Sequence, residues 1–264
     1  MPRTKTKTDC GVLLSGINTN LLCFTSRISK IYRNMNIGRK LAVLIFFFCI
    51  IFSVYSQEII TADKYLESVS ERYGNIRDYE AQVAIRSDST DMTGNLSFLE
   101  PNLLRIDFTD PPEQVMVFNG DLLTIYIPRL RAVLNQTVAP MRRSGAGGAS
   151  LASSQGLQLL RRGYIPAFVT GPDPVPLDER SQEAVVKLRL TRRLSSEGFR
   201  EIILSIDPDT SLIRRIEGRT IANALVRFDF MNIRTNLGIP EQRFIYDSPA
   251  SANLYNNFLF RDSD

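Results

Sequence analysis

The chain has 264 residues, 44% of them apolar, and contains no histidine and no tryptophan. That length fits one large β domain or two small ones, and it lacks both the usual neutral-pH base and the commonest metal ligand. The net charge of +4 hides two unlike parts: residues 1–56 carry eight Lys/Arg and one acid (+7), while residues 57–264 carry 24 Lys/Arg and 27 Asp/Glu (−3), which argues against nucleic-acid binding.

Residues 1–34 are polar and show no sustained period, and Met35 is a plausible second start. Arg39-Lys40 precedes the apolar run Leu41–Val54, and Val54-Tyr55-Ser56 ends on a small residue. This layout predicts a secretory signal peptide cleaved after Ser56, since the run is short of the ~20 residues of a membrane span. An uncleaved anchor and lipoprotein processing at Cys49 are the alternatives; bulky Phe46-Phe47-Phe48 argues against the second. All three cysteines, Cys10, Cys23 and Cys49, lie in this part, so residues 57–264 have no disulfide and no thiolate.

Thr61 to Arg77 predicts a helix, with Thr61 or Asp63 as cap, Leu66, Val69 and Tyr73 on one face, and Gly74-Asn75 as its end. Tyr79–Arg86 alternates as a strand, and Ser87–Thr93 reads as a polar turn. From Gly94 to Pro128, four short apolar runs are separated by turn residues, which predicts an antiparallel meander. Leu104, Ile106 and Phe108 share one face opposite Arg105 and Asp107, and Pro111-Pro112 ends that strand. Asn119-Gly120 predicts a hairpin with both residues at positive φ. Another strand extends to about Val138, then a flexible loop at Arg142–Ser150, a short helix carrying Leu151, Leu157 and Leu160, and an extended Gly171–Pro176 connector. Strands are expected around Val186–Leu190, Phe199–Ile206, Leu212–Glu217, Ala224–Ile233 and Phe244–Tyr246. About ten strands and two helices without a βαβ rhythm predict a mainly β (α+β) fold, an open antiparallel barrel or half-barrel under a helical lid.

No constellation carries catalysis. Asp107, Asp110, Glu113, Asp121 and Asp229 fall in turns or on outward faces, where solvation outweighs a glycosidase-like carboxylate pair. Ser153-Ser154 and Ser195-Ser196 have no histidine to form a triad. The pairs Arg142-Arg143, Arg161-Arg162, Arg192-Arg193 and Arg214-Arg215 read as solvated edges that discourage strand-to-strand association. The expectation is a non-enzyme with no cofactor and no metal. Apolar surface between sheet and helices is either ordinary core or a ligand space.

The stretch containing Gly94, Leu96, Pro101-Asn102-Leu103, Pro111, Asn119-Gly120 and Tyr126-x-Pro128 resembles the LolA family of periplasmic outer-membrane lipoprotein carriers. The similarity continues more weakly from Thr61 to about Pro249. The resemblance implies that residues 57–264 form one LolA-like domain, a monomer whose helix-covered half-barrel takes the acyl chains of lipoproteins across the periplasm. It implies an inner-membrane release complex and an outer-membrane acceptor as partners. The implied cavity residues are Leu104, Ile106, Phe108, Met116 and Phe118, with Leu66, Val69 and Tyr73 from the helix. Leu104 and Ile106 stand where the family often has large aromatics. Glu100 replaces an arginine of the best-known carriers, Thr124 replaces a common tryptophan, and Gly145–Pro176 is longer than usual. A sensor or scaffold domain that binds envelope lipoproteins or lipids without transport is the alternative of the same fold.

Overall fold

The computed structural model describes residues 36–38, 60–88, 90–137 and 152–258. The chain divides into two compact units, Met1–Ile59 and Ile60–Asp264. Of the first, only Asn36–Gly38 are described; all described strands belong to the second. The Arg39–Ser56 run with its cleavage point, Cys49 and the Arg142–Ser150 loop lie outside the described residues.

Helix α1 (Ala62–Gly74) starts where a hydroxyl can replace a missing turn: the Thr61 side chain accepts from the Lys64 N–H at 3.3 Å. It ends at the expected Gly74-Asn75, where the Asn75 N–H closes back on the Arg72 carbonyl and the Ile76 N–H on the Tyr73 carbonyl. After α1 come β1 (Asp78–Ser87), β2 (Thr90–Leu99), β3 (Leu103–Asp110), β4 (Val115–Phe118), β5 (Leu122–Ile127) and β6 (Ala132–Thr137). Helix α2 (Ser154–Gly163) is capped by Ser153, whose side chain accepts from the Gly156 N–H. It runs into β7 (Tyr164–Phe168), β8 (Val175–Pro176), β9 (Ala184–Arg192), β10 (Phe199–Ile206), β11 (Ile213–Thr220), β12 (Leu225–Thr235) and β13 (Asn253–Asn256).

The strands form one open sheet in the order β13-β6-β5-β4-β3-β2-β1-β12-β11-β10-β9-β7, with β8 paired to β9. Among the described residues every pairing is antiparallel except β13 on β6. This is the open, helix-covered β architecture expected from the sequence. Alternation gives the sheet two faces. The face under α1 and α2 holds the core: Leu66, Val69 and Tyr73 from α1, Leu157 and Leu160 from α2, and alternate residues of β1–β3 and β9–β12. Gly94 sits where β2 meets β3; a Cβ there would stand 2.6 Å from the Asp107 carbonyl oxygen.

Four local expectations are corrected. Residues 90–93 belong to β2 rather than to a turn: Thr90 pairs with Ser87 and Thr93 with Ala84, which leaves a tight hairpin tip. Phe244–Tyr246 is not a strand: Glu241–Phe244 is a short 3-10 turn whose Phe244 is buried and which packs on β3. Part of the Gly171–Pro176 connector pairs with β9, as Val175↔Val185. At the β4–β5 turn only Gly120 has positive φ (101°); the Asn119 side chain instead accepts from the N–H of Asp121 and Leu122.

Candidate functional site

All eight side chains named from the sequence meet on the concave face. Leu66, Val69, Tyr73, Leu104, Ile106, Phe108 and Phe118 are buried in the core, and Met116 is half-buried against it. The register explains this convergence. One cross-strand row runs Leu96↔Ile106↔Met116↔Ile125↔Leu134↔Tyr255 from β2 to β13. A neighbouring row runs Tyr79↔Phe98↔Leu104↔Phe118↔Leu123↔Gln136.

Burial falls along the first row. Leu96 and Ile106 are 0% exposed, Met116, Ile125 and Leu134 are half-buried, and Tyr255 is 52% exposed. The β1–β3 end is therefore sealed core, whereas the β4–β6 end keeps apolar surface partly open. Sequence reasoning does not find Leu123, Ile125, Leu134 and Tyr255 as members. Leu122–Ile127 is apolar on both faces, so alternation does not assign sides, and the parallel β13–β6 pairing has no local sequence signal.

Two buried phenols anchor elements to one another. The Tyr73 hydroxyl accepts from the Ile213 N–H at 3.1 Å, and burial pushes its pKa up to about 12. Tyr79 donates to the Ala152 carbonyl at 2.9 Å, tying β1 to the start of α2; burial holds its pKa well above the phenol range. Tyr79 stacks on Phe98 with centroids 5.2 Å apart. Tyr65 lies 5.9 Å from the Phe168 ring and its buried hydroxyl has no partner.

Between the helices lies a polar groove of about 580 Å³, with Asp63, Glu67, Gln158, Arg161 and Arg162 among its walls. Arg161 reaches across it to Asp63 (3.4 Å) and Glu67 (3.2 Å). The covering helices are thus joined to each other by charge and to the sheet by apolar packing.

The outward face is less solvated than expected. Asp229 is 9% and Arg215 7% exposed. Arg215 donates to Asp229 at 2.5 Å and, through both terminal nitrogens, to Asp178 of the connector. The neighbouring Arg214 pairs with Glu183. Asp107 accepts from Arg105 (2.8 Å) and Arg243 (2.5 Å), and Arg105 lies 5.9 Å from the Tyr246 ring. These groups correct two expectations: Asp229 and Asp107 are not free carboxylates, and Arg214-Arg215 is not a solvated edge. The physical reason is that two chain segments, Gly171–Glu183 and the stretch after Thr235, fold over the outer face and need charged anchors there. Glu100 and Asp121 remain exposed in turns, and Thr124 donates to the Asn135 side chain at 3.0 Å. Among the described residues no three His/Cys/Asp/Glu side chains are placed to hold a metal, and no helix is long and apolar enough to cross a membrane.

Residues 81–145, from within β1 through β6 and beyond it, match the family model described as outer membrane lipoprotein carrier protein LolA. The match includes the Gly94–Pro128 motif that carries the resemblance. No curated protein matches the sequence. Solved structures of similar fold include an uncharacterized conserved protein from Thermus thermophilus, at 14% identity and TM-score 0.48, covering 74% of this chain and 98% of that one. A putative outer membrane lipoprotein-sorting protein domain from Vibrio parahaemolyticus aligns at 13% identity and TM-score 0.39, covering 69% and 97%. MucB in the MucA/MucB complex of Pseudomonas aeruginosa aligns at 17% identity and TM-score 0.43, covering 73% of this chain and 62% of that one.

Proposed function

We propose that residues 57–264, freed from residues 1–56 by cleavage after Ser56, form a monomeric periplasmic carrier that binds lipoprotein acyl chains and conveys them toward the outer membrane. The observation that supports this most is a coincidence of place. The segment matching the LolA family model, residues 81–145, contains five of the six strands crossed by the apolar row from Leu96 to Tyr255. An acyl chain enters over Met116, Leu123, Ile125 and Leu134. It reaches Leu104, Ile106, Phe108 and Phe118, and the Leu66, Val69 and Tyr73 face, as α1 and α2 separate from the sheet. Each buried methylene contributes about 0.8 kcal/mol, so a single chain is a substantial ligand. Release from an inner-membrane complex and delivery to an outer-membrane acceptor complete the cycle. No step breaks a covalent bond, and Asp107 and Asp229 are engaged by arginine, which speaks against their forming a carboxylate-pair hydrolase.

Fluorescent fatty-acid binding with circular dichroism tests this reading. Ile125→Glu, at a half-buried rung, is expected to fold and to lose binding. Leu104→Glu, in sealed core, is expected to lose folding as well. Undiminished binding by folded Ile125→Glu overturns the route. The 0% exposure of Leu66, Val69 and Ile106 favours a second reading, a sensor or scaffold that binds envelope lipoproteins or lipids at its surface without taking up acyl chains. Mass spectrometry of protein purified from the envelope separates the two: co-purifying acylated lipoprotein supports the carrier.

A further inference from the structure

The turns of this sheet fall on two rims, and the rims differ in chemistry. On one rim the turns at Glu100–Asn102, Asn119–Asp121 and Asp207–Thr210 are acidic or polar, with Leu237 after β12, 46% exposed, a single apolar side chain beside them. On the opposite rim, two adjacent tips carry large apolar residues exposed to solvent: Leu194 in the β9–β10 turn, 65% exposed, with Ile221 in the β11–β12 turn and Leu225 at the start of β12, 50% and 38% exposed. Hairpin turns ordinarily hold Gly, Asn, Asp, Ser or Pro. The β11–β12 tip has its turn chemistry in place elsewhere, with Asn223 at positive φ and Thr220 N–H donating to the Ala224 carbonyl, so Ile221 is not needed to make the turn. The remaining tips of this rim, β1–β2 and β3–β4, carry Asp88, Asp110 and Glu113 and no such side chain, apart from Leu130, 60% exposed, beyond β5.

Basic residues frame the apolar tips. Arg193, Arg200 and Arg219 are exposed beside them, and so is Arg162 at the end of α2. Hydrogen bonds tie this corner to the end of α2. The Arg193 N–H donates to the Gly163 carbonyl at 2.8 Å and its Nε to the Tyr164 carbonyl at 3.1 Å. The β9–β10 and β11–β12 tips are held together by the pairing Phe199↔Thr220. Arg161, two residues before Gly163, reaches Asp63 in the first turn of α1, so the start of α1 lies at this corner.

We propose that this corner, Leu194, Ile221 and Leu225 framed by Arg162, Arg200 and Arg219, docks on an anionic phospholipid bilayer. The aliphatic tips enter the headgroup boundary while the guanidinium groups stay at phosphate level, the arrangement that combines apolar burial with charge attraction. This docking stands whether or not the interior accepts an acyl chain.

The absence of tryptophan gives a clean reporter. Full-length chain carrying Leu194→Trp, and separately Leu237→Trp on the opposite rim, is mixed with phosphatidylglycerol vesicles bearing dibrominated acyl chains. Circular dichroism first establishes that both variants fold as the parent. Quenching is expected to be roughly threefold or more greater for Leu194→Trp, because only that corner enters the boundary. Adding Arg200→Glu and Arg219→Glu to Leu194→Trp is expected to weaken partitioning by at least about tenfold. Phosphatidylcholine vesicles and soluble glycerol 3-phosphate are expected to produce no quenching or shift. Equal quenching at the two rims, equal response to phosphatidylcholine, or indifference to the charge reversals each overturns the proposal.

Discussion

The two faces of this sheet are made from alternate residues of the same strands, and they are held by different forces. The concave face is held by area. Leu96, Ile106, Leu188, Leu190 and Leu204 are fully buried and meet Leu66 and Val69 without a charged group among them. The outer face adds directed ionic contacts to the local burial of Phe244, because the segments crossing it bring less apolar surface than the helices do. Arg215 fixes the connector through Asp178, while Asp107, Arg105 and Arg243 fix the segment after β12. Non-directional burial tolerates gradual loss, as the half-buried β4–β6 rungs illustrate. Directed ionic contacts fail when one partner is removed.

The largest effect is therefore expected outside the apolar core. Arg215→Ala leaves Asp229 buried with its best partner gone, and urea unfolding is expected to report a loss of about 3–5 kcal/mol. Arg215→Met combined with Asp229→Leu removes both charges and is expected to recover most of that loss. If the double variant is as unstable as the single one, the cluster matters through packing, and the contrast between the faces weakens.

On the concave side, Leu66→Ala is expected to cost about 3 kcal/mol by the same measurement, the sum of lost transfer energy and a residual cavity. The half-buried rung Ile125→Ala should cost less than half as much, on the order of 1 kcal/mol, since solvent already reaches it. Equal losses at the two positions would mean that burial along the row is not graded in solution.

How much of the molecule is legible in its sequence depends on the forces involved. The concave face can be read from Leu104, Ile106 and Phe108, and from Leu66, Val69 and Tyr73, because burial imposes a period of 2 on strands and 3–4 on helices. Period fails where a strand is apolar on both faces, so Leu123, Ile125 and Leu134 escape it. It also fails for Asp107, Asp229 and Arg215, which have the same alternation as solvated residues. Their partners, Arg243 and Asp178, are distant in sequence and arrive by segments without regular structure. The Phe244 turn is hidden for a related reason: an alternating Phe-x-Tyr looks like a strand whether its aromatics pack on a sheet or belong to one.

The separation of faces depends on register, and a slip by one residue would exchange them. The β4–β5 hairpin sets that register for the open wing, and Gly120 is its one residue at positive φ. A Cβ there would also stand 3.4 Å from the Asn102 side chain. Gly120→Val is expected to destabilise by about 1–3 kcal/mol, read as a lower urea midpoint. An unchanged midpoint would place register control in the strand pairings alone.

The smallest expected effect is the most selective for the outer face. The hydrogen bonds from Arg215 favour the charged form of Asp178 and lower its pKa from the usual 3.8. A carboxylate with a depressed folded-state pKa stabilises fully above its unfolded value and loses that contribution as pH falls through the folded one. In wild type the connector contact is therefore complete above the usual carboxylate range and is lost below it. Asp178→Asn is expected to be less stable than wild type at neutral pH, with the gap closing as acid protonates Asp178. The side chain is 54% exposed, so solvent screens the interaction and added salt should narrow the gap further. Urea midpoints of both proteins between neutral pH and strong acid measure this directly. A gap that persists unchanged into strong acid would assign the Asp178 contact to shape and neutral hydrogen bonding, and leave Asp229 as the only charge that Arg215 needs.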